Sequence, residues 1–316
     1  MTAGNVTLLE AAKGNQTDLK AGVIETIIQE SPIINKIPWM PINGFALQHT
    51  AEDTLPLAQF RNVNDVYTKS WGTDTQHYWG TAIFGGEIVV DNYLVKTRGN
   101  VVKVKAKQFA KMAKSSAMRF EYEFWNGTGA NKGFKGMKQL INEGFGQSIT
   151  NNAAGATISL NVMDQAHDLF RNQGGADEIL LNRTTRREIT NAARTLVTGV
   201  SLIDVGTDVF GKQVMHWNGV PLTIMGDVQD SSGNIAAALG YTEDSTTGMN
   251  AGACSSLYFV KWGEDDICGL LGADGDFDVR DFGEQQASPS HLGRLEWYPG
   301  IAIFNKYSVV RLFGIT

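Results

Sequence analysis

Residues 101–125 read VVKVKAKQFAKMAKSSAMRFEYEFW. Phe109, Met112, Ala113, Ser116, Ala117, Phe120 and Phe124 recur there at three- and four-residue steps. That spacing predicts one long amphipathic helix with an apolar stripe about 100° wide turned toward protein. Lys103, Lys107, Lys111 and Lys114 recur at the same steps on the other side. They form a ridge of ammonium groups roughly 16 Å long at about 1.5 Å rise per residue, facing solvent or an anion. Asn126-Gly127 follows, a suitable place for a left-handed terminating residue.

Upstream of this helix, Ile88, Val89 and Val90 predict a strand. Residues 45–67 alternate in short apolar and polar steps, and 68–80 are polar and aromatic, with Trp71, His77, Tyr78 and Trp79. This reads as a long two-stranded excursion, which is marginal alone in water and therefore packs on something else. Short helices are expected at 7–13 and at 19–30, the second capped by Asp18 and stopped by Pro32. Prolines 32, 38 and 41 sit among Ile34, Ile37, Trp39, Met40 and Ile42, too many prolines for a helix and too much apolar surface for a free linker. Such an arm suits lying on its own core or across a neighbouring subunit.

Downstream, the pattern is α/β. A helix capped at Asn161 carries Met163, Ala166, Leu169 and Phe170 and ends at Gly174-Gly175; Ile179 to Leu181 is a short buried strand; Thr184 opens another helix through Ile189, Ala193 and Leu196. Asn218-Gly219 between two apolar runs predicts a hairpin. Further strands are expected at 257–262, 266–271, 277–282 and through the tail 296–315, with 226–252 as a long mobile loop.

Chemistry is hard to find. The 316 residues carry 27 basic and 33 acidic side chains, net −6, which argues against a dedicated nucleic-acid binder. Charge is uneven, however: residues 96–138 are mostly basic, whereas 264–284 hold eight acids and one arginine. Cys254 and Cys268 make no disulfide framework and are expected reduced and buried. The N-terminus resembles no signal peptide, and no run approaches the ~18 apolar residues that span a bilayer, so synthesis in a cytoplasm and no membrane partner are expected. No metalloprotease, P-loop, paired-cysteine or serine-hydrolase motif occurs. Gly127, Gly129 and Gly133 follow a helix instead of opening one, so they do not make a phosphate cradle. Asp274, Asp276 and Asp278 copy the start of a calcium loop, which then fails at Val279 and Gln285. His49, His77, His167, His216 and His291 have no ligand spacing. No catalytic residue, cofactor or metal is expected.

The order of elements carries a resemblance. An apolar arm, a β excursion containing Leu55-Pro56 and Phe60-Arg61-Asn62-Val63-Asn64, then Gly85-Gly86-Glu87-Ile88-Val89-Val90-Asp91, a basic helix ending Phe124-Trp125-Asn126-Gly127, and Phe134-Lys135-Gly136-Met137 follow one another. Ser256-Leu257-Tyr258-Phe259-Val260, Gly269-Leu270 and the closing Arg311-Leu312-Phe313-Gly314-Ile315 complete it. Over nearly the whole chain this resembles the major capsid proteins of tailed bacteriophages, with the α+β Hong Kong 97-like fold.

The resemblance implies an N-terminal arm at 1–44, an extended loop at 45–86, a peripheral domain at 87–158 and 277–316 with spine helix 101–125, and an α/β axial domain at 159–276. It implies a non-enzymatic subunit that assembles into an icosahedral head, in hexamers and pentamers, in the host bacterial cytoplasm. Scaffold, portal and decoration proteins and packaged double-stranded DNA are the partners it suggests. Ile37, Trp39, Met40, Phe60, Arg61, Trp71 and Trp79 are the inter-subunit candidates, and the lysine ridge is the DNA-facing one. Some relatives cross-link a loop lysine to an asparagine; Lys69 is the sole lysine of 45–86, and that reaction is not carried over. An encapsulin-type compartment is the alternative within the fold. An α/β enzyme would need converging titratable residues, and a tail or adhesion protein would be dominated by β structure.

Overall fold

A computed structural model of the chain describes residues 27, 31–93, 101–130, 132–170, 175–195, 203–207, 213–249, 252–273 and 277–316. The helices expected at 7–13 and 19–30 (Ile27 aside), Gly174, Leu196, Asp274 and Asp276 lie outside the described residues.

The arm differs from expectation at its start. Pro32–Lys36 is a helix, with Pro32 in its first turn, where no N–H is needed and the fixed φ of proline suits the helix. Ile33, Ile34 and Ile37 are buried. Trp39–Pro41 then pairs in parallel with Ile267–Leu271, which pairs antiparallel with Pro299–Ile303.

The long helix spans Val101–Asn126. Phe109, Ala113, Ser116, Ala117, Phe120 and Phe124 are buried along it, so the stripe read from the spacing is its inward face. It lies on a three-stranded antiparallel sheet formed by Asp278–Glu284, Ser290–Trp297 and Phe84–Asp91. Close approach needs small residues below. A Cβ on Gly86 would stand 1.9 Å from Met112 Cε, and one on Gly293 2.3 Å from Phe109 Cζ. Between helix, sheet and arm sits Trp297, with ring centroids 4.3 Å from Phe277, 4.8 Å from Phe120 and 5.3 Å from Trp39. At the helix end Gly127 is not left-handed. Crowding requires the glycine instead, since a Cβ would stand 2.5 Å from the carbonyl oxygens of Glu123 and Phe134.

The second half is built on a seven-stranded mixed sheet in the order Gln147–Thr150, Val309–Ile315, Ser255–Val260, Glu178–Leu181, Val220–Ile224, Gln213–Trp217, Ile203–Thr207. Its central strands Ser255–Val260, Val309–Ile315 and Glu178–Leu181 are buried at every position, which is why they read as continuous apolar runs without alternation. Leu160–Leu169 and Arg183–Thr195 are the helices that pack against it. Asn218 and Gly219 take φ of 48° and 80°, the pair of left-handed residues that the expected hairpin turn demands. The stretch 226–252 is not one open loop. It contains the short hairpin Asp227–Gln229 and Ile235–Ala237, which packs on the long helix with Val228 buried.

Candidate inter-subunit surface

Ala46–Thr54 and Thr73–Gly80 pair as the antiparallel ribbon that the alternation predicted. Its base is fixed. Leu47 faces Trp79 and His49 faces His77 across the strands, and these side chains rest on the body: Trp79 and His77 each lie 4.8 Å from Phe145, and His49 lies 4.9 Å from Phe304. Open clefts of about 530 and 640 Å³ lie beside this base, and His77, Glu143 and Phe145 line both. Burial would raise the Glu143 carboxyl, but hydrogen bonds from Lys135 and Gln139 hold it below the usual carboxylate range. It stays ionised beside His77, which lines both clefts.

Beyond the base, the ribbon leaves the body. In the connecting segment 55–72, Leu55, Leu57, Phe60, Val63, Val66, Tyr67 and Trp71 are all exposed, Phe60 and Val66 almost completely at 108% and 91%. Among the described residues, only local bonds shape this tip. Leu57 N–H donates to Ser70 Oγ at 2.9 Å, Asn62 N–H donates to Asp65 Oδ2 at 3.1 Å, and the Arg61 guanidinium stands 5.2 Å over the Tyr67 ring. Burying one large apolar side chain is worth about 1.5–3 kcal/mol, and among the described residues nothing covers those of the tip. Exposed large apolar side chains concentrated in one short segment make it the candidate interaction surface.

The sequence candidates separate accordingly. Phe60, Arg61 and Trp71 lie on the exposed tip. Ile37, Trp39 and Trp79 are buried in the chain's own core, and Met40 packs half-buried against it; side chains already covered have little left to offer a neighbour. Leu55, Leu57, Val63, Val66 and Tyr67 share that exposure and were not among the candidates. Their signal was the short apolar and polar steps of 55–67, which lie beyond the two paired strands and so have no inward face. On the long helix Lys107, Lys111 and Lys114 are exposed, while the Lys103 side chain lies outside the described residues. Lys105, absent from the expected ridge, pairs with Asp281 at 3.0 Å.

A second feature was invisible in the sequence. Glu243, almost fully buried, is held by Arg311 at 2.7 Å and by Lys138 at 2.9 Å. Lys138 also donates to Asn126 Oδ1 at 2.7 Å, and Arg311 to the Gly248 carbonyl. Burial pushes the Lys138 ammonium below its ordinary range, and Glu243 pulls it back up. This network ties the end of the long helix to the seven-stranded sheet. Among the described residues no group of three or more metal-ligating side chains converges, and no helix is long and apolar enough to cross a membrane.

No family model matches the sequence, and no curated protein matches it. Solved structures do. The chain is similar to the encapsulin in the holo-SrpI complex of Synechococcus elongatus, at 12% identity over 92% of this chain and 89% of that one, with a TM-score of 0.62. It is similar to a chain of Mycobacterium phage Bobi, at 13% identity over 98% of both chains with a TM-score of 0.57. A capsid chain of a native GTA particle matches at 12% identity over 91% of both chains, also with a TM-score of 0.57. This chain has the Hong Kong 97-like capsid fold.

Proposed function

We propose that the chain is the major capsid protein of a tailed double-stranded DNA bacteriophage, a structural subunit that assembles with copies of itself, as hexamers and pentamers, into an icosahedral head. One observation carries the reading. A subunit with this fold holds out an apolar loop tip that no other described residue covers, and repetition of such modest contacts closes a strong shell by symmetry and avidity. The occupant of the tip is a second copy. The division into arm 1–44, loop 45–86, peripheral domain 87–158 with 277–316, and axial domain 159–276 belongs to this proposal. So do the virion as the protein's place, the host bacterial cytoplasm as the site of assembly, and scaffold, portal and decoration proteins as further partners. Lys103, Lys107, Lys111 and Lys114 are its surface toward packaged DNA, neutralising phosphates without reading sequence.

A compartment that encloses protein is the second reading, favoured by the encapsulin likeness at a TM-score of 0.62. Electron microscopy of particles from cells that make the chain naturally, followed by nuclease treatment and analysis of the contents, separates the two. Closed shells with nuclease-protected double-stranded DNA support the capsid. Closed shells holding a cargo protein and no nucleic acid overturn it in favour of the compartment. A dispersed monomer or dimer under every condition, scaffold partner included, overturns both.

A further inference from the structure

Where the arm meets the spine helix, a carboxyl is buried with no charged group among the described residues to hold it. Glu121, 1% exposed, lies on the helix one turn from the buried Ala117 and Trp125. The arm places Ser31, fully buried, against it, and the Ser31 hydroxyl favours the carboxylate. No hydrogen bond of normal geometry closes: Glu121 Oε1 and Ser31 Oγ are both buried without a partner. A buried, unpaired polar atom is costly, and an ionised one far more so.

Arg119 pairs with Glu123 on the helix, its Nη1 buried without a hydrogen-bond partner, and faces Asp230 in the turn of the short hairpin, while Lys114 is exposed. None acts on Glu121, whose carboxyl is pushed up to about 7 by burial, with Ser31 alone opposing.

We propose that Glu121 is a proton-operated clasp between the N-terminal arm and the spine helix. Protonated, its carboxyl can donate to Ser31 Oγ and the arm seats; ionised, it leaves a buried charge at the junction and the arm loosens. The sign follows from the raised value. The docked arm holds the proton more tightly than the open one, so docking is strongest at acid pH. It weakens as pH rises from the ordinary carboxyl value of 4.5 to about 7 and is level above that. The proposal does not depend on what the shell encloses. In a shell it would set whether residues 31–37 stay on their own subunit or become available to the next.

Native-state hydrogen exchange on the full chain tests it at the Ile37 amide, which bonds to the Ile33 carbonyl at 3.0 Å inside the arm. Corrected for intrinsic rates, its protection should fall about tenfold or more between pH 5.5 and 8, a shift of one pKa unit being a factor of ten. In Glu121→Gln it should stay level, while amides of Ser255–Val260 should not respond in either protein. If Glu121→Gln does not fold, difference infrared on the unmodified chain should find a buried protonated carboxyl near pH 6 that is lost by pH 9. An Ile37 pH course shared by wild type and Glu121→Gln, or a carboxyl already ionised at pH 6, would overturn the clasp.

Discussion

The extended-loop tip and the spine helix are both rich in large apolar side chains and meet opposite fates. On the helix, Phe109, Phe120 and Phe124 are buried; on the tip, Phe60, Val66 and Trp71 face outward. Composition does not separate them, but periodicity does. The helical stripe has a 3.6-residue repeat, so all its members reach one surface of the same chain. The tip has no such repeat and no strand partner of its own length, so its apolar groups radiate, and no other described residue covers them. One region therefore holds the subunit together, and the other is free to hold subunits to each other.

Charging the tip is the strongest way to break this comparison. The double variant Phe60→Asp, Trp71→Asp should abolish particle formation completely, read by sedimentation. Its thermal unfolding as a dispersed subunit should stay within about 0.5 kcal/mol of wild type, as for surface changes away from packed features. Phe120→Ala is the converse. It should cost about 3–5 kcal/mol in chemical denaturation, with any subunits that fold keeping the ability to assemble. A similar loss, about 3–5 kcal/mol, is expected for Glu243→Gln, which leaves Lys138 and Arg311 buried together without a counter-charge. The smallest effect belongs to Lys107→Glu, Lys111→Glu. Stability should move by less than about 0.5 kcal/mol, while the salt dependence of binding to double-stranded DNA should become shallower by about two in log–log slope.

What could be read from the sequence follows the same division. The spine helix and the Asn218-Gly219 hairpin were legible because their signals are local: a repeat in one case, a turn dipeptide in the other. The arm was half legible. Its apolar character was plain, but proline can open a helix as well as stop one, and Pro32 opens one. Nothing local told Trp39 and Trp79, which go inward, from Trp71, which does not. The hairpin at 227–237 was missed because strands of three residues carry no alternation to detect. The Glu243 network was beyond reach for another reason. Lys138, Glu243 and Arg311 come together only when the tail strand enters the seven-stranded sheet.

The most direct measurement is hydroxyl-radical footprinting of Phe60 and Trp71 in intact particles and in subunits dissociated from them, with Phe120 as the internal reference. Both tip residues should be strongly protected in the particle and reactive in the free subunit, with Phe120 protected in both. Equal reactivity of Phe60 and Trp71 in the two states would mean that no second copy covers the tip, and would contradict the account at its centre.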